Sequence, residues 1–123
     1  VVVGPQSYHN LPHLLARGGG RLVHVGASAA AGVAGPGMGA YAAAKAGVAK
    51  LTEAMAAEFK DRGIAVNAVL PAVIDTPANR AGMPQSDFSR WVGPDALARV
   101  IVFLLSEAAA PLTGALIPVN GRA

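Results

Sequence analysis

A tyrosine and a lysine stand one helical turn apart in the stretch GAYAAAKAGVAK, which begins at Gly39. On a helix, Tyr41 and Lys45 share one face, with Cβ atoms about 5–6 Å apart. An ammonium group close to a phenol favours the phenolate, which prepares the hydroxyl for general acid–base work near neutral pH. The spacing predicts a catalytic pair, although a lone pair of this kind is also common on ordinary helix faces.

A serine lies thirteen residues before Tyr41, after the β-branched run RLVHV. That run, at residues 21–25, predicts a strand, and the glycine-rich residues 26–39 predict a loop. From the end of the strand, the Ser28 hydroxyl could reach the same point as Tyr41. Together the two hydroxyls would bind and protonate a carbonyl oxygen. A loop or helix-cap serine is the ordinary alternative.

Periodic apolar residues predict the helices and strands that would position these side chains. Helices are predicted at residues 7–17, at 39–61 and from about 95 onwards, and strands at 21–25, 64–70 and 114–119. The core face of the middle helix consists of residues at helical spacing: Val48, Leu51, Thr52, Met55 and Phe59. The core face of the last helix has the same pattern: Leu97, Val100, Ile101, Leu104 and Leu105.

Single residues predict local details of these elements. Pro12 predicts a kink or a late start of the first helix. Gly63 predicts the end of the middle helix, near which Glu58 and Arg62 are an expected i,i+4 ion pair. The segment at residues 71–94 contains four prolines and is expected to be irregular, with one short helix.

The alternation of helix and strand predicts an α/β fold in a single domain that covers residues 1–123. Its sheet should have about three parallel strands with flanking helices, as part of a doubly wound, Rossmann-like arrangement. Such sheets hold their sites at the carboxyl ends of the strands. The loops that follow the first two strands are therefore expected to meet at one edge.

Composition narrows the class of protein. The chain is 53% hydrophobic and 14% charged, which argues against disorder,. Its net charge of +3 comes from scattered lysines and arginines, so neither a nucleic-acid nor a membrane-binding patch is predicted,. It has no cysteine and no apolar run of about 20 residues,, and a cytoplasmic location is expected.

The histidines receive structural interpretations. His24 is expected to be packed within its strand or to lie at the sheet edge. His9 and His13 have an i,i+4 spacing that can bind metal, but no carboxylate is near them in the sequence, so no metal site is predicted.

Taken together, the motifs resemble the short-chain dehydrogenase/reductase family. The matching stretches are GRLVHVGAS, GAYAAAKAGV, IAVNAVLPAVIDTP and LTGALIPVNG, and the similarity covers about residues 11–121. The resemblance implies an NAD(P)-dependent oxidoreductase that interconverts a carbonyl and a hydroxyl of a small molecule by hydride transfer. It implies that Tyr41 is the general acid/base, that Ser28 positions the substrate oxygen, and that Lys45 favours the tyrosinate and binds the nicotinamide ribose.

Cofactor contacts are also implied by the resemblance. Besides Tyr41 and Lys45, the loop from Pro71 to Thr76 would contact the nicotinamide end. Ile74 would meet the carboxamide through its backbone, and Thr76 would meet the carboxamide or the pyrophosphate. The choice between NAD and NADP stays open, as does isomerase, epimerase or dehydratase chemistry on the same scaffold.

The sequence also departs from the family pattern. It contains neither T-G-x-x-x-G-x-G, the family's phosphate-binding loop, nor G-x-G-x-x-G. The segment GVAGPGMG lies between Ser28 and Tyr41 and is interpreted as an active-site loop. Asn10 does not fit the spacing of the family's asparagine, and Ala72 stands where the family usually has glycine.

The chain therefore looks like the C-terminal, catalytic half of the family's fold, truncated before the cofactor cradle. On its own it is expected to be inactive and to bind the dinucleotide weakly. The alternative is a truncated, non-catalytic member that acts as an oligomerisation or interaction module. A chance match by an unrelated α/β binding module is a third interpretation. The family resemblance also implies a homo-oligomer, formed in part through the alanine-rich helix.

Overall fold

The computed structural model describes residues 6–28 and 35–123, apart from the side chains of residues 6–8. Four α-helices in this part of the chain are α1 (Gln6–Arg17), α2 (Gly39–Phe59), α3 (Pro77–Gly82) and α4 (Pro94–Leu104). The strands are β1 (Gly20–Val25), β2 (Ile64–Pro71) and β3 (Leu116–Val119). Short 3-10 helices cover Lys60–Arg62, Phe88–Arg90 and Glu107–Ala109.

The three strands form one parallel sheet in the order β1-β2-β3. Gly20 of β1 is opposite Ile64 of β2, and Val25 is opposite Val69, so the two strands run in step over the whole of β1. Parallel strands need a crossover connection, and α2 supplies it between β1 and β2. The predicted α/β class, with about three parallel strands and flanking helices, is confirmed.

Helices cover both faces of this sheet. Successive residues of a strand point to opposite faces, and the two core clusters follow that rule. One cluster unites α1, α2 and the strands: Leu11, Leu22, Met55, Ala56, Ile64 and Val66. The other packs α4 against the opposite face: Val23, Val69, Val92, Leu97 and Leu104. The arrangement is therefore doubly wound, as predicted.

Pro12 lies inside α1, which already begins at Gln6, so the predicted late start is wrong. Proline removes one backbone hydrogen bond from a helix interior. Here the helix continues because its apolar side packs on the sheet: Leu11 is buried, and Leu14 and Leu15 pack against the same core cluster. Burial outweighs the local preference of proline.

The end of α2 differs from the expectation in one contact. Gly63 has a φ of 74° and caps the 3-10 turn Lys60–Arg62, so the predicted stop at this glycine is confirmed. Glu58 and Arg62 are both exposed, and no ion pair between them forms among the ion pairs of the described residues. The 3-10 turn has a tighter twist than an α-helix, which takes the two side chains out of their i,i+4 alignment.

A buried asparagine fastens β2 to the segment before β3. The Asn67 side chain is 1% exposed; its Nδ2 donates to the Leu112 carbonyl at 3.0 Å, and its Oδ1 accepts from the Ala115 amide at 3.0 Å. Gly114, with a φ of 76°, turns the chain between these two contacts. β3 consequently begins at Leu116, two residues later than predicted.

No helix within residues 6–28 and 35–123 has the length and apolar character that crossing a bilayer requires.

His24 is the buried titratable side chain of β1. It is 0% exposed, as is Thr52 of α2, and its Nδ1 lies 2.7 Å from the Thr52 Oγ1. Burial lowers the pKa of His24 below its ordinary value near 6.5, because an imidazolium would lose its hydration there,. The histidine is therefore neutral in the folded protein at pH 7.

We predict that stability falls as the pH drops below about 6.5. The unfolded chain takes up a proton on His24 near this pH, whereas the folded chain does so only at a lower pH, so acid favours unfolding by up to about 1.4 kcal/mol per pH unit. Urea unfolding at pH 7.5, 6.5 and 5.5 measures the slope. His24→Asn should lose it. An equal slope in wild type and variant would contradict the assignment.

Candidate active site

Tyr41 and Lys45 lie together at the start of α2. The Lys45 Nζ is 5.8 Å from the centroid of the Tyr41 ring, which is within the range of a cation–π contact. The Tyr41 side chain is 49% exposed, and Lys45 is half-buried. The predicted proximity of phenol and ammonium is present, with the phenol open to an incoming molecule.

The packing of α2 determines where Tyr41 points. Ala42 and Ala49 are buried against the rest of the fold, and these small side chains let the helix lie close to its neighbours. The first turn forms beyond Gly37, whose φ is 78°, and the Ala42 amide donates to the Met38 carbonyl at 2.8 Å. Tyr41 therefore projects from a rigid helix rather than from a loop.

Ser28 lies three residues beyond the end of β1 and is exposed. The path to it is fixed by Gly26, whose amide donates to the Val69 carbonyl at 2.9 Å. A Cβ at Gly26 would come within 2.8 Å of a Leu70 methyl carbon, so glycine permits this close approach. Within residues 6–28 and 35–123, no hydrogen bond joins Ser28 to Tyr41. Residues 29–34, which include part of GVAGPGMG, lie outside the described residues.

The loop after β2 is held in an extended form. It leaves the sheet at the buried Pro71, and a parallel bridge pairs Ile74 with Val92. In this bridge, the Val92 amide donates to Val73 and the Val92 carbonyl accepts from the Asp75 amide. Because Val92 bonds the residues on either side of Ile74, the backbone groups of Ile74 point away from it.

Asn79 holds the loop after β2 through two hydrogen bonds, and the sequence analysis did not identify it. Its side-chain Nδ2 donates to the Ile74 carbonyl at 2.8 Å, and its backbone N–H donates to the Thr76 Oγ1 at 3.2 Å. Thr76 is thereby the N-cap of α3, and Pro77 stands at its first turn. The dipeptide Thr-Pro is a known helix-start signal and could have located the cap. No comparable sequence signal indicates the hydrogen bond from the Asn79 side chain to Ile74.

An ion pair between Asp75 and Arg80, with the Phe88 ring next to the guanidinium, stabilises this loop. Arg80 donates from Nε and Nη2 to the two oxygens of Asp75 at 2.6 and 2.8 Å. These hydrogen bonds hold the pKa of Asp75 below its ordinary range. The guanidinium also lies 4.6 Å from the centroid of Phe88, which packs on Trp91 at 4.8 Å. No motif of the sequence indicates this bidentate pairing.

The C-terminal residues clamp the far end of the same segment. The Arg122 amide donates to the Arg90 carbonyl at 3.0 Å, and Arg90 Nη2 donates to the Arg122 carbonyl at 2.7 Å. The Arg122 side chain donates to the Ser89 carbonyl at 3.1 Å. The segment between α3 and α4 is therefore fastened both to the loop after β2 and to the residues after β3.

Two clefts lie away from this edge. They measure about 150 and 310 Å³, and both are lined by Gly63 and Ala65 at the amino end of β2. Since Ser28 and the loop after β2 follow the carboxyl ends of the strands, neither cleft is part of the candidate site. In the described part of the chain, no three metal-ligating side chains (His, Cys, Asp or Glu) gather in one place.

Comparison with known proteins identifies the family. A family model described as Enoyl-(Acyl carrier protein) reductase matches residues 7–121. The chain belongs to the short-chain dehydrogenase/reductase family. It is 38% identical over 122 residues to cis-4-hydroxycyclohexanecarboxylate dehydrogenase of Sinomonas cyclohexanicum, covering 92% of this chain and 48% of that protein. It is 40% identical over 110 residues to the 3-oxoacyl-[acyl-carrier-protein] reductase FabG of Pseudomonas aeruginosa, covering 83% and 44%.

Solved structures agree with this membership. One from Beutenbergia cavernae, provisionally assigned as an NAD(P) dependent gluconate 5-dehydrogenase and solved with NADP at low occupancy, has a TM-score of 0.83 and 31% identity, covering 94% of this chain and 50% of that one. Acetoin dehydrogenase from Enterobacter cloacae has a TM-score of 0.80 and 31% identity, covering 94% and 48%. The chain thus spans about half the length of the short-chain dehydrogenase/reductase proteins that it matches.

Proposed function

We propose that this chain carries the catalytic edge of an NAD(P)-dependent oxidoreductase that interconverts a carbonyl and a hydroxyl, with Tyr41 as general acid/base. The observation that carries the proposal is the exposed phenol of Tyr41 with the Lys45 ammonium 5.8 Å from its ring, in a member of a family whose relatives include dehydrogenases and reductases.

The proton chemistry belongs to the chain's own residues. In the direction of reduction, the Tyr41 hydroxyl donates its proton to the substrate oxygen; in oxidation, the phenolate accepts a proton from the substrate hydroxyl. Lys45 places a positive charge 5.8 Å from the centroid of the Tyr41 ring. Ser28 donates a hydrogen bond that orients the same substrate oxygen. The nicotinamide, when bound, supplies or accepts the hydride.

The loop after β2 has the donor set that a nicotinamide carboxamide needs. The Ile74 amide faces away from Val92, whereas the Ile74 carbonyl already accepts from the Asn79 Nδ2. The Thr76 Oγ1 accepts a hydrogen bond from Asn79, so its own proton is available to donate to a carboxamide or pyrophosphate oxygen. Pro71 begins this loop, and Lys45 is close enough to the phenol to serve the nicotinamide ribose as well. These residues fit the nicotinamide half of the cofactor.

A neutral or weakly acidic small molecule is the proposed substrate. Relatives are named for cyclic alcohols such as cyclohexanol, in Acinetobacter, and for hydroxy acids such as cis-4-hydroxycyclohexanecarboxylate. In this chain the Arg80 charge is already paired with Asp75, and Phe88 and Trp91 give the neighbouring surface an aromatic character. Both features favour an apolar body next to the reacting oxygen.

Tyr41→Phe should lower the rate of carbonyl reduction by about 10²-fold or more in any form of the protein that has activity. The ring and its packing remain, whereas the ionisable hydroxyl is lost. The measurement is the initial rate of NAD(P)H oxidation with a cyclic ketone. Tyr8→Phe, at the chain's other tyrosine, is the control and should keep its rate. Wild-type turnover in Tyr41→Phe would make Tyr41 a surface tyrosine.

Lys45→Met should lower the rate of alcohol oxidation. Methionine keeps the length and the apolar stem of the side chain but removes the positive charge beside the Tyr41 ring. Initial rates of alcohol oxidation compare the variant with wild type. Lys60→Met, in the exposed 3-10 turn after α2, is the control and should keep the wild-type rate. A wild-type rate in Lys45→Met would argue against the proposed role of this charge.

Residues 1–123 alone should bind NADPH and NADH weakly and should not transfer a hydride. The pyrophosphate of a dinucleotide is held by backbone amides at a glycine-rich helix start, and the sequence has no such phosphate-binding pattern. Contacts to the nicotinamide half alone would not meet the ordering cost of binding. Titration calorimetry of this chain tests the proposal. A dissociation constant in the low-micromolar range would contradict it and would reassign GVAGPGMG as a phosphate loop.

A homo-oligomer through α2 is also proposed. The side of the helix away from the sheet is exposed and made largely of small residues at helical spacing: Ala43, Gly47, Lys50, Ala54 and Ala57. Small residues allow two helices to approach closely. Light scattering should give the molar mass of a dimer or a larger assembly. Ala54→Arg should reduce the molar mass of the assembly. Ala96→Arg, on the exposed surface of α4, is the control and should leave it unchanged. A monomeric wild type would refute the proposal.

A further inference from the structure

The face of α2 that carries the candidate catalytic pair continues into the core. Steps of four, three and four residues lead from Tyr41 to Lys45, Val48 and Thr52, so the four side chains form one stripe along the helix. Exposure falls along the stripe, from 49% at Tyr41 to 0% at Thr52. The candidate acid/base and the buried threonine are therefore two ends of one rigid surface.

The partner of this threonine lies on the strand that leads to Ser28. His24 is four residues before Ser28, and Thr52 is eleven residues after Tyr41. A crossover helix runs antiparallel to the strands that it connects, so both paths lead to the same edge of the sheet. The four residues from His24 to Ser28 reach at most about 13 Å, and eleven helical residues span about 16 Å, so the serine and the tyrosine both lie beyond the pair, toward the carboxyl edge of the sheet.

The hydrogen bonds define how the pair is joined. The Thr52 hydroxyl has one proton, which it donates to the Val48 carbonyl at 2.8 Å. The His24 Nδ1 lies 2.7 Å from the same oxygen and completes a buried hydrogen bond. With the Thr52 proton on the Val48 carbonyl, the imidazole donates from Nδ1. The contact is directional, unlike the apolar contacts of Leu22 and Met55 in the same core cluster.

We propose that His24 and Thr52 are a positioning pair that sets the height of α2 on β1 and thereby aligns Tyr41 with Ser28. The inference rests on the proposed function of Tyr41. Apolar side chains tolerate small sliding movements because their contacts have no preferred direction. A buried hydrogen bond does not, since a displaced donor and acceptor would both lose their partner without access to water. A displacement of about 1 Å at a catalytic group is enough to lower a rate by about 10²-fold.

Variants at Thr52 separate positioning from simple packing. Thr52→Val keeps the shape and removes the hydroxyl, whereas Thr52→Ser keeps the hydroxyl. In the form of the protein that has activity, we expect Thr52→Val to lower kcat at least tenfold with little change in KM, and Thr52→Ser to restore most of the rate. His24→Asn, whose amide can donate from the same place, should resemble Thr52→Ser, and His24→Leu should resemble Thr52→Val.

Two further measurements show through which group the pair acts. In a Tyr41→Phe background, Thr52→Val should cost little additional rate, because the residue being positioned is already disabled. With 3-fluorotyrosine incorporated, ¹⁹F NMR of the chain should show a changed Tyr41 resonance in Thr52→Val and a wild-type resonance in Thr52→Ser. The resonance is assigned by its loss in Tyr41→Phe, and this readout needs no turnover.

The outcomes distinguish this inference from the proposed function. If Tyr41→Phe loses activity while Thr52→Val keeps wild-type kcat and the wild-type Tyr41 resonance, the positioning pair is refuted and the function stands. If Tyr41→Phe keeps its activity, the proposed function fails and the pair has no catalytic group to align. A loss of kcat in Thr52→Val that is additive with Tyr41→Phe would also overturn the inference, because the threonine would then act by another route.

Discussion

The parallel pairing of β1 with β2 is the constraint on which the candidate site depends. Parallel strands cannot be joined by a hairpin, so the chain must cross over the sheet, and α2 is that crossover,. The crossover starts at the carboxyl end of β1 and returns to the amino end of β2. It therefore places the first turn of α2, with Tyr41, near the edge where Ser28 leaves the sheet. Without this pairing, the three candidate residues would be neighbours in sequence only.

A second set of contacts makes the loop after β2 rigid. The bridge between Ile74 and Val92 joins the two segments that flank an irregular stretch. Within that stretch, the Asn79 side chain donates a hydrogen bond to the Ile74 carbonyl. On the outside, Arg80 holds the Asp75 carboxylate with two hydrogen bonds. The proposed contact with a planar carboxamide would gain from such pre-organisation, because little conformational entropy would remain to be lost on binding.

The fold was largely predictable because its signals are repeated along the chain. The apolar stripes of α2 and α4 and the β-branched run of β1 each recur over several residues, so one unfavourable residue does not hide them. The errors fell where the outcome depends on a single residue. Pro12 sits inside α1 because Leu11 is buried beneath it, and the ion pair expected of Glu58 and Arg62 does not form where a 3-10 turn replaces the last helical turn.

The sequence by itself determined the chemistry that this chain can offer: a tyrosine and a lysine one turn apart, a serine after a strand, and a proline-led loop after the next strand. These are properties of residue type and local spacing. The repeat of a helix or a strand determines directly which of these side chains lie on the same face. Tertiary structure alone decided the contacts between distant segments. The hydrogen bond between His24 and Thr52 joins two residues that are 28 positions apart in the sequence. The hydrogen bond from Arg122 to Ser89 joins two that are 33 positions apart. No local period links such residues, because they meet only when helices and strands pack to bury their apolar faces.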